Sequence, residues 1–117
     1  MTEAETKNGA GAPRVVVIVP AYNEAGTIAD VVRQIHAVSE DYDVVVVNDG
    51  STDDTAAVVA PMEGCVLLNL PFNLGIGGAM QTGYKYALRR GYDVAVQCDA
   101  DGQHPVGSIP YLVRRLR

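Results

Sequence analysis

Two aspartates one residue apart, Asp99 and Asp101, end the apolar run of "VAVQCDADGQHP" (94–105). Carboxylates this close repel one another, by about 4 kcal/mol at about 4 Å and an effective dielectric of about 20. A divalent cation removes that penalty. Hard oxygen donors with open coordination positions suit Mg²⁺ or Mn²⁺, which bind through one or two carboxylates and complete their shell with substrate phosphate. The competing reading is an Asp–Gly turn with a capping carboxylate. Asp49, in "NDGST" (48–52), poses a similar choice between accepting a ligand N–H and closing an Asx turn into a helix. Tyr22 offers a ring to stack on, and Glu24 a carboxylate for a base or ribose. Asn73, Gly75, Gly77 and Gly78 let backbone approach a ligand at a helix start. Surface packing, a first-turn charge and a glycine-rich turn are the respective alternatives. His104 neighbours the carboxylates, which by itself assigns it nothing, and His36 lies inside a helix-patterned segment.

The elements that must hold these residues alternate cleanly. "RVVVIVP" (14–20), "YDVVVVN" (42–48), "CVLLNL" (65–70) and "YDVAVQC" (92–98) are apolar runs of strand length. Between them, Ile28, Val31, Val32, Ile35 and Val38 follow helical spacing, with Thr27 and Asp30 placed as a capping box. "STDDTAAVVA" reads as a second helix started by Ser51, Asp53 and Asp54 and closed by Pro61. "GIGGAMQTGYKYALRRG" reads as a third, with Met80, Tyr84, Ala87 and Leu88 on one side and Gly91 just past its end. "PVGSIPYLVRRLR" starts a fourth. The β-α-β-α-β-α-β order predicts an α/β class with a parallel sheet covered on both faces. The loops "PAYNEAG", "NDGST", "PFNLGIGG" and "DADGQH" then share the carboxyl edge of the sheet, where such folds bind ligands.

Composition narrows the partners. A net charge of −5 argues against a nucleic-acid surface, which needs a basic face. None of the four loops contains Lys, so a metal-bridged diphosphate is the economical way to hold an anion there. Cys65 and Cys98 both sit in apolar runs and predict reduced thiols. No apolar run reaches the ~20 residues of a membrane-spanning helix. Residues 1–13 are small, polar and acidic and predict a disordered tail, leaving 14–117 as one domain. Several motifs fail on position. A dinucleotide fingerprint belongs after the first strand, where "PAYNEAG" stands. "GAMQTGYK" has Tyr84 where a phosphate loop needs Lys, and "DADG" lacks the later ligands of a calcium hand.

Together, "VVVIVPAYNEAGTI", "VVVVNDGSTDDT", "NLPFNLGIGGAMQTGYKYA" and "VAVQCDADGQH" resemble the nucleotide-sugar-binding half of family 2 glycosyltransferases with the GT-A fold, above all the polyprenyl-phosphate mannosyl- and glucosyltransferases. The resemblance spans residues 14 to about 110. It implies a Rossmann-like α/β/α sandwich with a mostly parallel sheet, of which this chain is the N-terminal half. By the resemblance, Pro20, Ala21, Tyr22 and Glu24 line a base and ribose pocket, and Asp49 accepts from the base N–H. Asn73 and Gly75 lie beside the nucleotide. Asp99 faces ribose and metal, Asp101 ligates the metal, and Gln103 adds a ligand. Gly102 stands where that group often has Leu.

The resemblance further implies an inverting, metal-dependent transfer, with Mg²⁺ or Mn²⁺, from a UDP- or GDP-sugar to a polyprenyl phosphate or glycan. The expected place is the cytoplasm, at the inner face of the membrane. The acceptor site and general base of such enzymes lie in a second half, so residues 14–117 are expected to bind donor only, and an uncovered sheet edge to favour self-association. Two alternatives remain. One is a non-catalytic nucleotide-sugar-binding module. The other is a nucleotidyltransferase, which should carry a glycine-rich loop with Arg or Lys where "PAYNEAG" has neither.

Overall fold

The computed structural model describes residues 13–102 and 106–116. The tail expected over 1–13 lies outside them except for Pro13, as do Gln103 and His104. Strands β1 (Val15–Ala21), β2 (Asp43–Asn48), β3 (Cys65–Asn69) and β4 (Val94–Gln97) alternate with helices α1 (Ile28–Val38), α2 (Thr55–Val59) and α3 (Gly75–Arg89). A 3₁₀ turn (Val106–Ser108) leads into α4 (Ile109–Leu116).

The strands form one parallel sheet in the order β3-β2-β1-β4. Val17 of β1 stands opposite Val44 of β2 and Val96 of β4. Successive side chains of a strand point to opposite faces, so an inner strand needs apolar residues throughout. β1 meets that demand. Val15, Val17 and Val19 pack with Ile28, Val32 and Ile35 of α1, Val59 of α2, and Ile109 and Val113 of α4. Val16 and Ile18 pack on the other face with Val45, Val47 and Ala79, Met80 and Ala87 of α3. Fully burying each such valine or isoleucine stabilises the fold by about 1.5–3 kcal/mol. The sheet is thus sandwiched as the sequence predicts, with α1, α2 and α4 against one face and α3 against the other.

Three local expectations are corrected. The buried stripe of α3 is Ala79, Met80, Gly83 and Ala87, while Tyr84 and Leu88 are exposed. The reason is close approach: a Cβ on Gly83 would come within 2.5 Å of Ile18 Cγ2, so only small residues fit most of that face. α2 begins at Thr55, not at Ser51, because the intervening side chains bind another loop. Thr27 precedes α1 but does not cap it. Its N–H donates to Glu24 O at 3.1 Å, its hydroxyl points elsewhere, and Asp30 pairs with Arg33 at 3.1 Å.

Candidate functional site

β1, β2 and β3 step outward in one direction, and β4 then returns to the other side of β1. This switch of direction opens a crevice at the carboxyl ends of β1 and β4, the usual ligand position in such sheets. A cleft of about 270 Å³ occupies it. Pro20, Ala21, Tyr22 and Glu24 enter from β1 and its loop, and Asp49 from the end of β2. Asn73, Gly75 and Ile76 enter from the start of α3, and Asp99, Ala100 and Asp101 from the end of β4. Every described residue that the family resemblance assigned to donor or metal therefore borders one cavity, whereas Gly77 and Gly78, also expected at the ligand, do not line it. Ile76 is an addition, and Gln103 lies outside the described residues.

Asp49 is the most constrained of these groups. It is buried, and its carboxylate accepts from the main-chain N–H of Leu74 at 2.7 Å and of Gly75 at 3.0 Å. Leu74 has no side chain able to cap α3, so Asp49 supplies that cap from 25 residues away and places its charge at the positive end of the helix. Asn73 Nδ2 donates to Asp49 O at 3.2 Å. Two carboxylate oxygens carry about four acceptor positions, so two remain beyond those that hold the helix. Gly50 completes the junction. Its φ is +73°, and a Cβ there would lie 2.5 Å from Asn73 N. The β2 and β3 loops meet backbone to backbone at that point.

The β1 loop is clamped to the β2 loop. Asn23, at φ 55°, accepts through Oδ1 from Thr52 N at 2.8 Å and Asp53 N at 3.3 Å. In return its own N–H donates to Ser51 Oγ at 2.9 Å, Glu24 N to Thr55 Oγ1 at 3.0 Å, and Ala25 N to Asp53 Oδ2 at 3.2 Å. The Thr55 hydroxyl, followed by backbone N–H groups, holds the Asp53 carboxyl below its usual pKa. Sequence reasoning gave Ser51 and Asp53 to a helix start and missed Asn23 and Thr55. The available signal was an excess of short polar side chains over what the caps need.

The β4 loop carries the carboxylate pair. Gln97 Nε2 donates to Asp99 Oδ1 at 3.5 Å, Asp101 is exposed, and Ala100 between them is buried. Thr27 Oγ1 donates to Ala100 O at 2.8 Å. Among the described residues no three His, Cys, Asp or Glu side chains converge into a metal cage. Cys98 is no soft ligand, since burial, followed by the charges of Asp99 and Asp101, pushes its thiol up to about 11. The oxygens of Asp99 and Asp101 fit a hard cation that takes its remaining ligands from phosphate and water.

The architecture is an α/β/α sandwich of GT-A type with its cleft at the switch point, as the sequence predicts. Residues 16–117 match "Glycosyl transferase family 2", and the chain belongs to that family. It is 36% identical over 110 residues to an undecaprenyl-phosphate mannosyltransferase of Micrococcus luteus, covering 89% of this chain and 44% of that protein. It superposes with a TM-score of 0.71 on a mannosyltransferase of Pyrobaculum calidifontis solved with GDP-Man and Mn²⁺, at 30% identity over 85% of this chain and 30% of that one. A glucosyl-3-phosphoglycerate synthase of Mycobacterium tuberculosis, solved with Mn²⁺, UDP and glucosyl-3-phosphoglycerate, gives 0.71 at 26% identity, over 97% and 42% of the two chains. The chain therefore spans less than half the length of each of these proteins.

Proposed function

We propose that residues 14–117 form the nucleotide-sugar-binding part of an inverting, metal-dependent glycosyltransferase that uses a polyprenyl phosphate acceptor. The observation that carries this reading is the convergence of Pro20, Ala21, Tyr22, Glu24, Asp49, Asn73, Gly75, Asp99 and Asp101 on one cleft at the switch point. Tyr22 and Glu24 hold the base and ribose. Asp49 keeps α3 in place and offers its remaining acceptor positions to a base N–H. Asn73 and Gly75 flank the nucleotide. Asp99 and Asp101, with Gln103 beside them in sequence, would hold Mg²⁺ or Mn²⁺, which supplies Lewis-acid stabilisation to a departing diphosphate.

In the transfer itself an acceptor oxygen bonds to the anomeric carbon while the carbon–oxygen bond to the nucleoside diphosphate breaks. The general base and the acceptor site are assigned to the portion of the relatives' length that this chain does not span. Polyprenyl phosphate is membrane-borne, so the reaction is assigned to the inner face of the membrane. No helix among the described residues is long and apolar enough to cross one. Among the described residues β4 is paired on one side only, which supports self-association at that edge.

Calorimetry with UDP and GDP tests the reading, in Mn²⁺, in Mg²⁺ and in EDTA. Metal-dependent binding that Asp101→Asn abolishes without unfolding is the expected result. Equal affinity in EDTA would remove the metal role of Asp99 and Asp101. Robust sugar transfer to a polyprenyl phosphate by residues 1–117 alone would overturn the donor-only assignment.

A further inference from the structure

One hydroxyl joins the β1 loop to the carboxylate turn. Thr27 Oγ1 donates at 2.8 Å to the carbonyl oxygen of Ala100, the residue between Asp99 and Asp101. Thr27 Oγ1 also lies 3.3 Å from Glu24 Oε1 and 3.4 Å from Glu24 O. A hydroxyl has one proton, and the shortest contact takes it. Ala100 is 4% exposed, and its methyl belongs to the core cluster that includes Ile28 and Ile109. The turn is thus held twice, by a buried methyl and by a bonded carbonyl.

The Ala100–Asp101 peptide is planar. Fixing its oxygen fixes the plane, and with it the direction in which Asp101 leaves the backbone. The contacts of this hydroxyl within its own loop, both to Glu24, are longer than its bond to Ala100 O. Thr27 makes no side-chain cap to α1, and its own N–H is satisfied by Glu24 O. A threonine at a helix start that spends its proton on a carbonyl 73 residues away serves that distant turn.

We propose that Thr27 is a positioning residue for the metal-binding carboxylates: its bond to Ala100 O holds the turn in which Asp99 and Asp101 present their oxygens to the cation. The inference rests on the proposed metal role of Asp99 and Asp101. Loss of the hydroxyl leaves the ligands present but unaligned. Groups that orient metal ligands are commonly worth ~10–100-fold in metal affinity.

The test is an electron-paramagnetic titration of free Mn²⁺ with the 117-residue chain and saturating UDP or GDP, beside thermal melting of the metal-free protein. The variants are Thr27→Val, Thr27→Ala, Thr27→Ser and Asp101→Asn. We expect Thr27→Val and Thr27→Ala to weaken Mn²⁺ binding about tenfold, to lower the melting temperature no further than the loss of one hydrogen bond does, and to leave nucleotide binding in EDTA unchanged. Thr27→Ser, which keeps the donor, should bind Mn²⁺ like the parent. Parental Mn²⁺ affinity in Thr27→Val and Thr27→Ala overturns the inference while the metal reading stands. Melting that falls in step with affinity in both variants makes the role structural and also overturns it. No difference between the parent and Asp101→Asn removes the metal reading and the inference with it.

Discussion

Asp49 Oδ2 accepts the main-chain N–H of Gly75 at 3.0 Å, across 26 residues of chain. Together with the bond from Leu74 N, this makes one buried carboxylate the cap of α3 and the floor of the cleft. Asp49→Ala leaves two backbone donors without their partner, and a buried unsatisfied group costs about 1–3 kcal/mol. Urea unfolding of the ligand-free protein should show that loss. The base role makes a separate demand. Asp49→Ala should weaken a nucleoside diphosphate more than pyrophosphate, each measured with Mn²⁺. Equal losses for the two ligands would leave Asp49 with its helix alone.

Gly50 separates backbone strain from collision. At φ +73° a side chain is strained, and a Cβ would also lie 2.5 Å from Asn73 N and from the carbonyl carbon of Phe72. Gly102, at φ +77°, has no atom of the other described residues within 4 Å of its Cβ position. Gly102→Ala should therefore cost about 1 kcal/mol, the conformational term alone. Gly50→Ala should exceed it by at least about 1 kcal/mol, because backbone atoms must move. Paired urea unfolding curves give the difference directly.

These two positions also mark what the sequence discloses. β-Branched runs such as 14–20 announce buried strands, and strict alternation of strands with helices forces their loops onto one edge. That logic located the cleft without any knowledge of contacts. It failed where a side chain bonds far along the chain. Asp49 reads locally as an Asx turn into α2, yet it caps α3. Thr27 and Asp30 have capping-box spacing, yet one reaches Ala100 and the other Arg33. Such bonds depend on two loops meeting, and no periodicity records a meeting. The misplaced face of α3 has a similar origin: hydrophobicity points to Tyr84 and Leu88, while the closeness of Ile18 selects Gly83.

Alkaline conditions should weaken the fold. Burial pushes the Cys65 thiol up to about 11, and it raises the Tyr92 hydroxyl, which also donates to the Asp43 carboxylate. An unfolded thiol releases its proton near pH ~8.5. Below that value both states keep the proton and Cys65 contributes no slope. Between about pH 8.5 and 11 the unfolded chain has released a proton that the folded chain retains, so stability falls as pH rises. Melting temperature should decline across this window, and Cys65→Ala should make the decline shallower. An unchanged slope in Cys65→Ala would remove the thiol from the account.

Asn23 tests whether the clamp between the first two loops shapes the base side of the cleft. Its φ of 55° suits Asn and Gly but strains other residues, and its Oδ1 accepts from both Thr52 N and Asp53 N. Asn23→Gly keeps the backbone permissible and removes the acceptor. Asn23→Ala removes the acceptor and adds about 1–2 kcal/mol of left-handed strain. Asn23→Ala should therefore be the less stable of the two by urea unfolding. Tyr22 and Glu24 flank residue 23 and border the cleft, whereas Asp99 and Asp101 approach it from β4. Both substitutions should accordingly lower nucleoside diphosphate affinity by about 1 kcal/mol, the worth of an ordinary hydrogen bond. Mn²⁺-pyrophosphate affinity should stay at its parental value. A matched loss of both ligands in Asn23→Gly would mean that the clamp supports the whole edge of the sheet and not the base side in particular.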